Sequence, residues 1–80
     1  MDIENDWLVV KDYGGYTWLS KSNIQYRSSK KGLHYCMTDD TVYTEGYLGD
    51  PGDIKSMRKA TDEEVEAFYQ KHPQYRNYFD

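Results

Sequence analysis

Both faces of the first predicted hairpin are apolar, which a half-exposed antiparallel sheet does not require. Trp7 to Asp12 and Tyr16 to Ser20 are short runs rich in β-branched and aromatic residues, separated by Gly14-Gly15. A glycine pair suits the positive φ angles of a two-residue turn. That turn sets Tyr13 opposite Tyr16, Lys11 opposite Trp18 and Val10 opposite Leu19. One face then carries Leu8, Val10, Thr17 and Leu19, and the other Trp7, Val9, Lys11, Tyr13, Tyr16 and Trp18. The second face must be covered by another part of the chain or by a partner.

The alternation continues in Asn23 to Ser28, expected as a strand with Ile24 and Tyr26 on one face, followed by a polar turn over 28–32. Leu33 to Thr38 and Thr41 to Glu45 predict a second hairpin around Asp39-Asp40. Met37 is expected opposite Val42, Cys36 opposite Tyr43 and His34 opposite Glu45. Gly46 and the turn-forming stretch from Gly49 to Asp53 end the sheet region. Ile54 to Lys59 fits either a last edge strand or an extended connection.

Thr61-Asp62-Glu63-Glu64 has the form of a capping box, with Thr61 as N-cap, Glu64 at the third helical position, and Ala60 and Val65 as a staple across the helix start. A helix from Asp62 to about Lys71 follows, with Val65, Phe68 and Tyr69 as its apolar stripe. Pro73 stops it or opens another turn, and Tyr75, Tyr78 and Phe79 repeat the spacing of a short terminal helical turn. The expected fold class is α+β: one domain over residues 1–80, an antiparallel meander of four to five strands followed by a C-terminal helix.

Composition changes the picture of the core. Nine tyrosines, two tryptophans and two phenylalanines stand against three isoleucines, four leucines and four valines. Aromatic rings must therefore do much of the burying, and rings left over offer large, rigid contact area with a polar handle. The chain is small for a self-sufficient core, and its single cysteine, Cys36, provides no intramolecular disulfide. A reducing, cytoplasmic setting is expected, since the acidic start Met1 to Asp6 has no apolar signal segment and no run is long enough for a membrane span.

Charge is segregated as well. Residues 13–38 hold Lys21, Arg27, Lys30 and Lys31 and no acid; residues 39–53 hold five acids and no base; the net charge is −4. Acidic blocks can steer a basic partner.

The candidate chemistry is thin. His34 and Cys36 point the same way from one strand, but zinc needs further ligands and only His72 remains. A buried thiol beside a solvent-facing imidazole, paired with Glu45, is the expected arrangement. The acidic turns lack the ligand spacing of a calcium loop, and no nucleophile elbow or phosphate-binding loop is present. No cofactor, metal or catalytic residue is assigned.

The tyrosine-rich meander ending in Ala60-Thr61-Asp62-Glu63-Glu64-Val65-Glu66-Ala67-Phe68 resembles, in general manner, small accessory proteins of phages and mobile elements. The resemblance covers no diagnostic motif. It implies a stoichiometric inhibitor or adaptor that binds a host component, such as a basic nucleic-acid-binding protein.

The leading expectation is thus a non-enzymatic, viral-type protein-binding module using Trp7, Tyr13, Tyr16, Trp18, Tyr43 and Tyr47. The alternatives are a nucleotide or single-stranded nucleic-acid binder in which Arg27, Lys30 and Lys31 meet phosphates beside stacking rings, and a homo-oligomer, a dimer at its simplest, that hides its aromatic face against another copy.

Overall fold

The computed structural model describes residues 6–23, 31–44 and 53–79. Five strands, β1 (Leu8–Asp12), β2 (Thr17–Asn23), β3 (Lys31–Cys36), β4 (Thr41–Tyr43) and β5 (Ile54–Lys59), precede helix α1 (Asp62–Lys71) and a 3-10 turn, Pro73–Tyr75. The sheet is antiparallel in the order β4-β3-β2-β1-β5. The fold is α+β, as the sequence predicts. The meander runs from β1 to β4, and the ambiguous segment Ile54–Lys59 is a strand that returns to the far edge and pairs with β1. The strand expected over Asn23 to Ser28 contributes Asn23 to the end of β2, and its remainder lies outside the described residues.

The register of the first hairpin differs from expectation by one residue. Val9 lies opposite Leu19 and Val10 opposite Trp18. Gly15 alone adopts a positive φ, at 89°, whereas a type I′ turn needs two such residues. Tyr13-Gly14-Gly15 therefore forms a three-residue loop, closed by the Asp12 N–H donating to the Tyr16 carbonyl at 3.1 Å. A one-residue slip moves every side chain of one strand to the other face relative to its neighbour. Trp7, Val9, Thr17 and Leu19 now share one face, and Leu8, Val10, Trp18 and Ser20 the other.

The second hairpin is shifted by two residues, which preserves the faces. Tyr35 pairs with Val42, His34 with Tyr43 and Cys36 with Thr41, across a four-residue loop, Met37 to Asp40. Asp40 takes the left-handed conformation, at φ 55°, which aspartate tolerates better than most residues.

Helix α1 starts as its capping box dictates: the Glu64 N–H donates to Thr61 Oγ1 at 3.2 Å and the Thr61 N–H to Glu64 Oε1 at 2.9 Å. The helix lies on the Trp7 face. Val9, Leu19, Leu33, Tyr35 and Phe68 form the buried core, flanked by Trp7, Val42, Val65, Tyr69, Tyr75, Tyr78 and Phe79. Rings replace the missing aliphatics. Phe68 sits 4.8 Å from Tyr35, 5.6 Å from Tyr69 and 6.0 Å from Trp7, centroid to centroid, and Phe79 meets Trp7 edge-on at 5.9 Å.

Polar ties hold the helix to the sheet at both ends. Arg58 on β5 makes a bidentate pair with Glu64, both bonds at 2.8 Å. The guanidinium, helped by the Thr61 N–H, pushes the Glu64 carboxyl down to about 2. At the other end Asp40 accepts hydrogen bonds from Tyr35 Oη at 2.7 Å and His72 Nε2 at 2.9 Å, with Lys71 Nζ at 3.3 Å. His72, then Tyr35, and then Lys71 hold the Asp40 carboxyl at about 2. Among the described residues no helix is long and apolar enough to cross a membrane.

Candidate protein-binding surface

With the helix on one side of the sheet, the site follows from what remains on the other. The side chain of Asp12, the last residue of β1, organises this end. Its Oδ1 accepts from the Tyr16 N–H at 2.9 Å and its Oδ2 from the Trp18 indole N–H at 3.0 Å. The Trp18 donor first, and the Tyr16 amide next, hold the carboxyl below its usual range. Asp12 thus keeps its charge and fixes the Trp18 ring.

Trp18 lies between two other rings, Tyr16 at 6.5 Å and Tyr43 of β4 at 5.7 Å, both tilted about 50° to it. Tyr16 is 40% exposed, Tyr43 46% and Tyr13, at the loop tip, 71%. Met57 of β5 lies opposite Val10 and is also exposed. The Tyr16, Trp18 and Tyr43 rings form one aromatic cluster, with Tyr13 beside them at the β1–β2 loop. The rest of the same face is closed: Val10 and Cys36, on either side of Trp18, and Ser20 and His34 farther along are buried.

A cleft of about 320 Å³ opens beside the rings, lined by Asp12, Tyr13, Tyr16, Trp18, Asp53 and Ile54 among others. Its far wall is set by an irregularity in the pairing of β1 with β5: Lys11 lies opposite Ser56 but Asp12 opposite Ile54. A bulge of this kind bends an edge strand and re-aims its side chains. The Tyr13 N–H donates to the Asp53 carbonyl at 3.1 Å, which secures Asp53 against the loop.

The structure therefore brings together Tyr13, Tyr16, Trp18 and Tyr43 and separates Trp7 from them. Trp7 packs beneath α1 against Phe68, Tyr69 and Phe79. Tyr47, Arg27 and Lys30 lie outside the described residues, and Lys31 opens β3 opposite Asn23. From sequence, Asp53 figures only as part of an acidic turn, and Asp12 and Met57 carry no assigned role. An aspartate preceding a glycine pair is a legible turn acceptor, whereas Asp53 and Met57 reach the surface only through the β1–β5 pairing.

The environment of His34 also departs from expectation. The ring is 1% exposed, not solvent-facing, and its Nδ1 shares a hydrogen bond with the Ser20 hydroxyl. Its cross-strand neighbour is Tyr43, while Glu45 lies outside the described residues. Burial of an imidazole is tolerable when its nitrogens are satisfied. Cys36 is a buried free thiol, opposite Thr41 rather than Tyr43. Among the described residues no group of three or more His, Cys, Asp or Glu side chains is placed to hold a metal ion.

No known protein family, curated protein or solved structure matches this chain.

Proposed function

We propose that this protein is a non-enzymatic protein-binding module, an inhibitor or adaptor, whose contact surface is the Tyr13, Tyr16, Trp18 and Tyr43 face. The observation that carries the reading is the exposure of three tyrosines around a tryptophan whose orientation is already fixed by Asp12. Rings held before binding lose little conformational freedom on association, and Tyr and Trp dominate the energetics of protein interfaces. The acidic cleft beside them favours a basic partner. A reducing, cytoplasmic setting belongs to the same proposal, supported by the unpaired, buried Cys36 thiol.

The nucleic-acid alternative would place phosphates near this face, and the carboxylates of Asp12 and Asp53 oppose that. For the homo-oligomer alternative, two copies meeting through the same aromatic face would bring their Asp12 and Asp53 clefts together, like charge against like.

The test is to retain the partner on the wild-type protein from host lysate, identify and purify it, and titrate it calorimetrically with wild type, Tyr16→Ala and Tyr43→Ala. At least one variant should lose about 2 kcal/mol or more of binding free energy while losing under about 1 kcal/mol of stability. Unchanged affinity in both would refute the proposal. Oligonucleotide binding at physiological salt, or a concentration-dependent dimer lost in these variants, would favour one of the alternatives.

A further inference from the structure

The cleft at the β1–β2 loop has a composition that selects its occupant. Among the described residues its lining holds two aspartates, Asp12 and Asp53, and three aromatic residues, Tyr13, Tyr16 and Trp18, with no lysine, arginine or histidine. The two carboxylates differ. Both Asp12 oxygens already accept a hydrogen bond from the loop and the indole. Among the described residues nothing donates to the Asp53 carboxylate. At about 320 Å³ the cleft stands at the small end of ligand pockets, which run from roughly 300 to 1,000 Å³. One long side chain suits it better than a cofactor.

Resting on the contact-surface reading above, we infer that this cleft receives an arginine side chain of the partner, its guanidinium stacked on the tyrosine rings and paired with Asp53. A planar, delocalised cation matches this lining in two ways. It stacks on ring faces, and its fork of N–H donors meets a carboxylate bidentately. Lysine would supply the charge without the stacking or the fork. Asp12 contributes a second negative charge that its own hydrogen bonds hold in place. Tyr13 is the least constrained wall, being exposed at the loop tip, and closes over the guanidinium.

Nitrogen-15 NMR of the whole protein offers a direct test, because its two indole N–H signals report opposite faces of the sheet. The probes are a short blocked peptide with a central arginine and the same peptide with citrulline, which keeps the shape and loses the charge. Saturable shifts of the Trp18 indole and of the Tyr13 and Tyr16 amides are expected with the arginine peptide, while the Trp7 indole stays fixed. Citrulline should bind about tenfold more weakly or worse, as should the arginine peptide to Asp53→Asn, in keeping with the loss of a charged hydrogen bond. Equal shifts with both peptides, or no shift at Trp18 with arginine up to the solubility limit, would overturn the assignment. If the peptide fails while Tyr16→Ala and Tyr43→Ala still abolish partner affinity, the arginine assignment falls alone. If those variants keep full partner affinity, the contact surface itself is misplaced.

Discussion

Phe68→Ala is expected to remove most of the stability of the domain. Phe68 is the one buried residue of α1, at 2% exposure, and its ring is ringed by Trp7, Tyr35, Tyr69, His72 and Tyr75 at centroid distances of 4.8 to 6.1 Å. Truncating a buried phenylalanine costs about 3 to 5 kcal/mol. Aromatic pairs add roughly 0.5 to 1.5 kcal/mol each beyond area, which points to the upper half of that range. A chain of this length is worth on the order of 4 to 12 kcal/mol in total, so the variant should be partly unfolded at room temperature. Phe68→Leu keeps much of the volume and should cost about half as much. Urea denaturation followed by circular dichroism, with tryptophan fluorescence as a second probe, measures both. A loss for Phe68→Ala under about 1 kcal/mol, the range of surface substitutions, would mean that α1 does not seal the Trp7 face. The separation of Trp7 from the Tyr16, Trp18 and Tyr43 rings would then lose its basis.

Three further outcomes follow from the local geometry. Gly15→Ala should cost about 1 kcal/mol through its left-handed backbone alone, since a Cβ there meets nothing within 4 Å, whereas Gly15→Asn should cost less; equal denaturant midpoints would refute the three-residue loop. Thr61→Ala should cost about 1 kcal/mol through the lost cap, and an unchanged midpoint would remove the capping argument. The carboxyls of Asp40 and Glu64 are both lowered to about 2 in the folded protein from ordinary values of 3.8 and 4.5. Their contribution is therefore full above about pH 5 and is lost as the pH falls toward 2. Carbon-detected NMR titration should place both midpoints near 2, and Asp40→Asn with Glu64→Gln should flatten the acid limb of stability against pH. Midpoints near 4 would show that neither tie persists in solution.

What was legible in the sequence was local. The capping box encodes its own hydrogen bonds within four residues, and α1 begins where Thr61 places it. The first hairpin was legible as two strands and a turn, but its register depended on a side chain. Asp12 accepts from the Tyr16 amide and the Trp18 indole, and these bonds accompany a loop one residue longer than glycine pairing alone suggests. That difference sends Trp7 beneath the helix and Trp18 to the opposite face. The position of β5 beside β1, and with it the Asp53 wall of the cleft, depends on a long-range pairing that no local period specifies. His34 reads as polar and exposed in a strand, and its hydrogen bond with the cross-strand Ser20 helps to make its burial tolerable.

The central claim is that the partner meets the Tyr13, Tyr16, Trp18 and Tyr43 face rather than the helix. Cross-saturation NMR reads that contact directly: the isotope-labelled protein is bound to its unlabelled, saturated partner, and signals lose intensity where the two touch. Losses should concentrate on the Tyr13, Tyr16 and Tyr43 amides and the Trp18 indole, leaving the Trp7 indole unaffected. Losses confined to the exposed outer residues of α1, such as Glu63, Glu66 and Gln70, would contradict it.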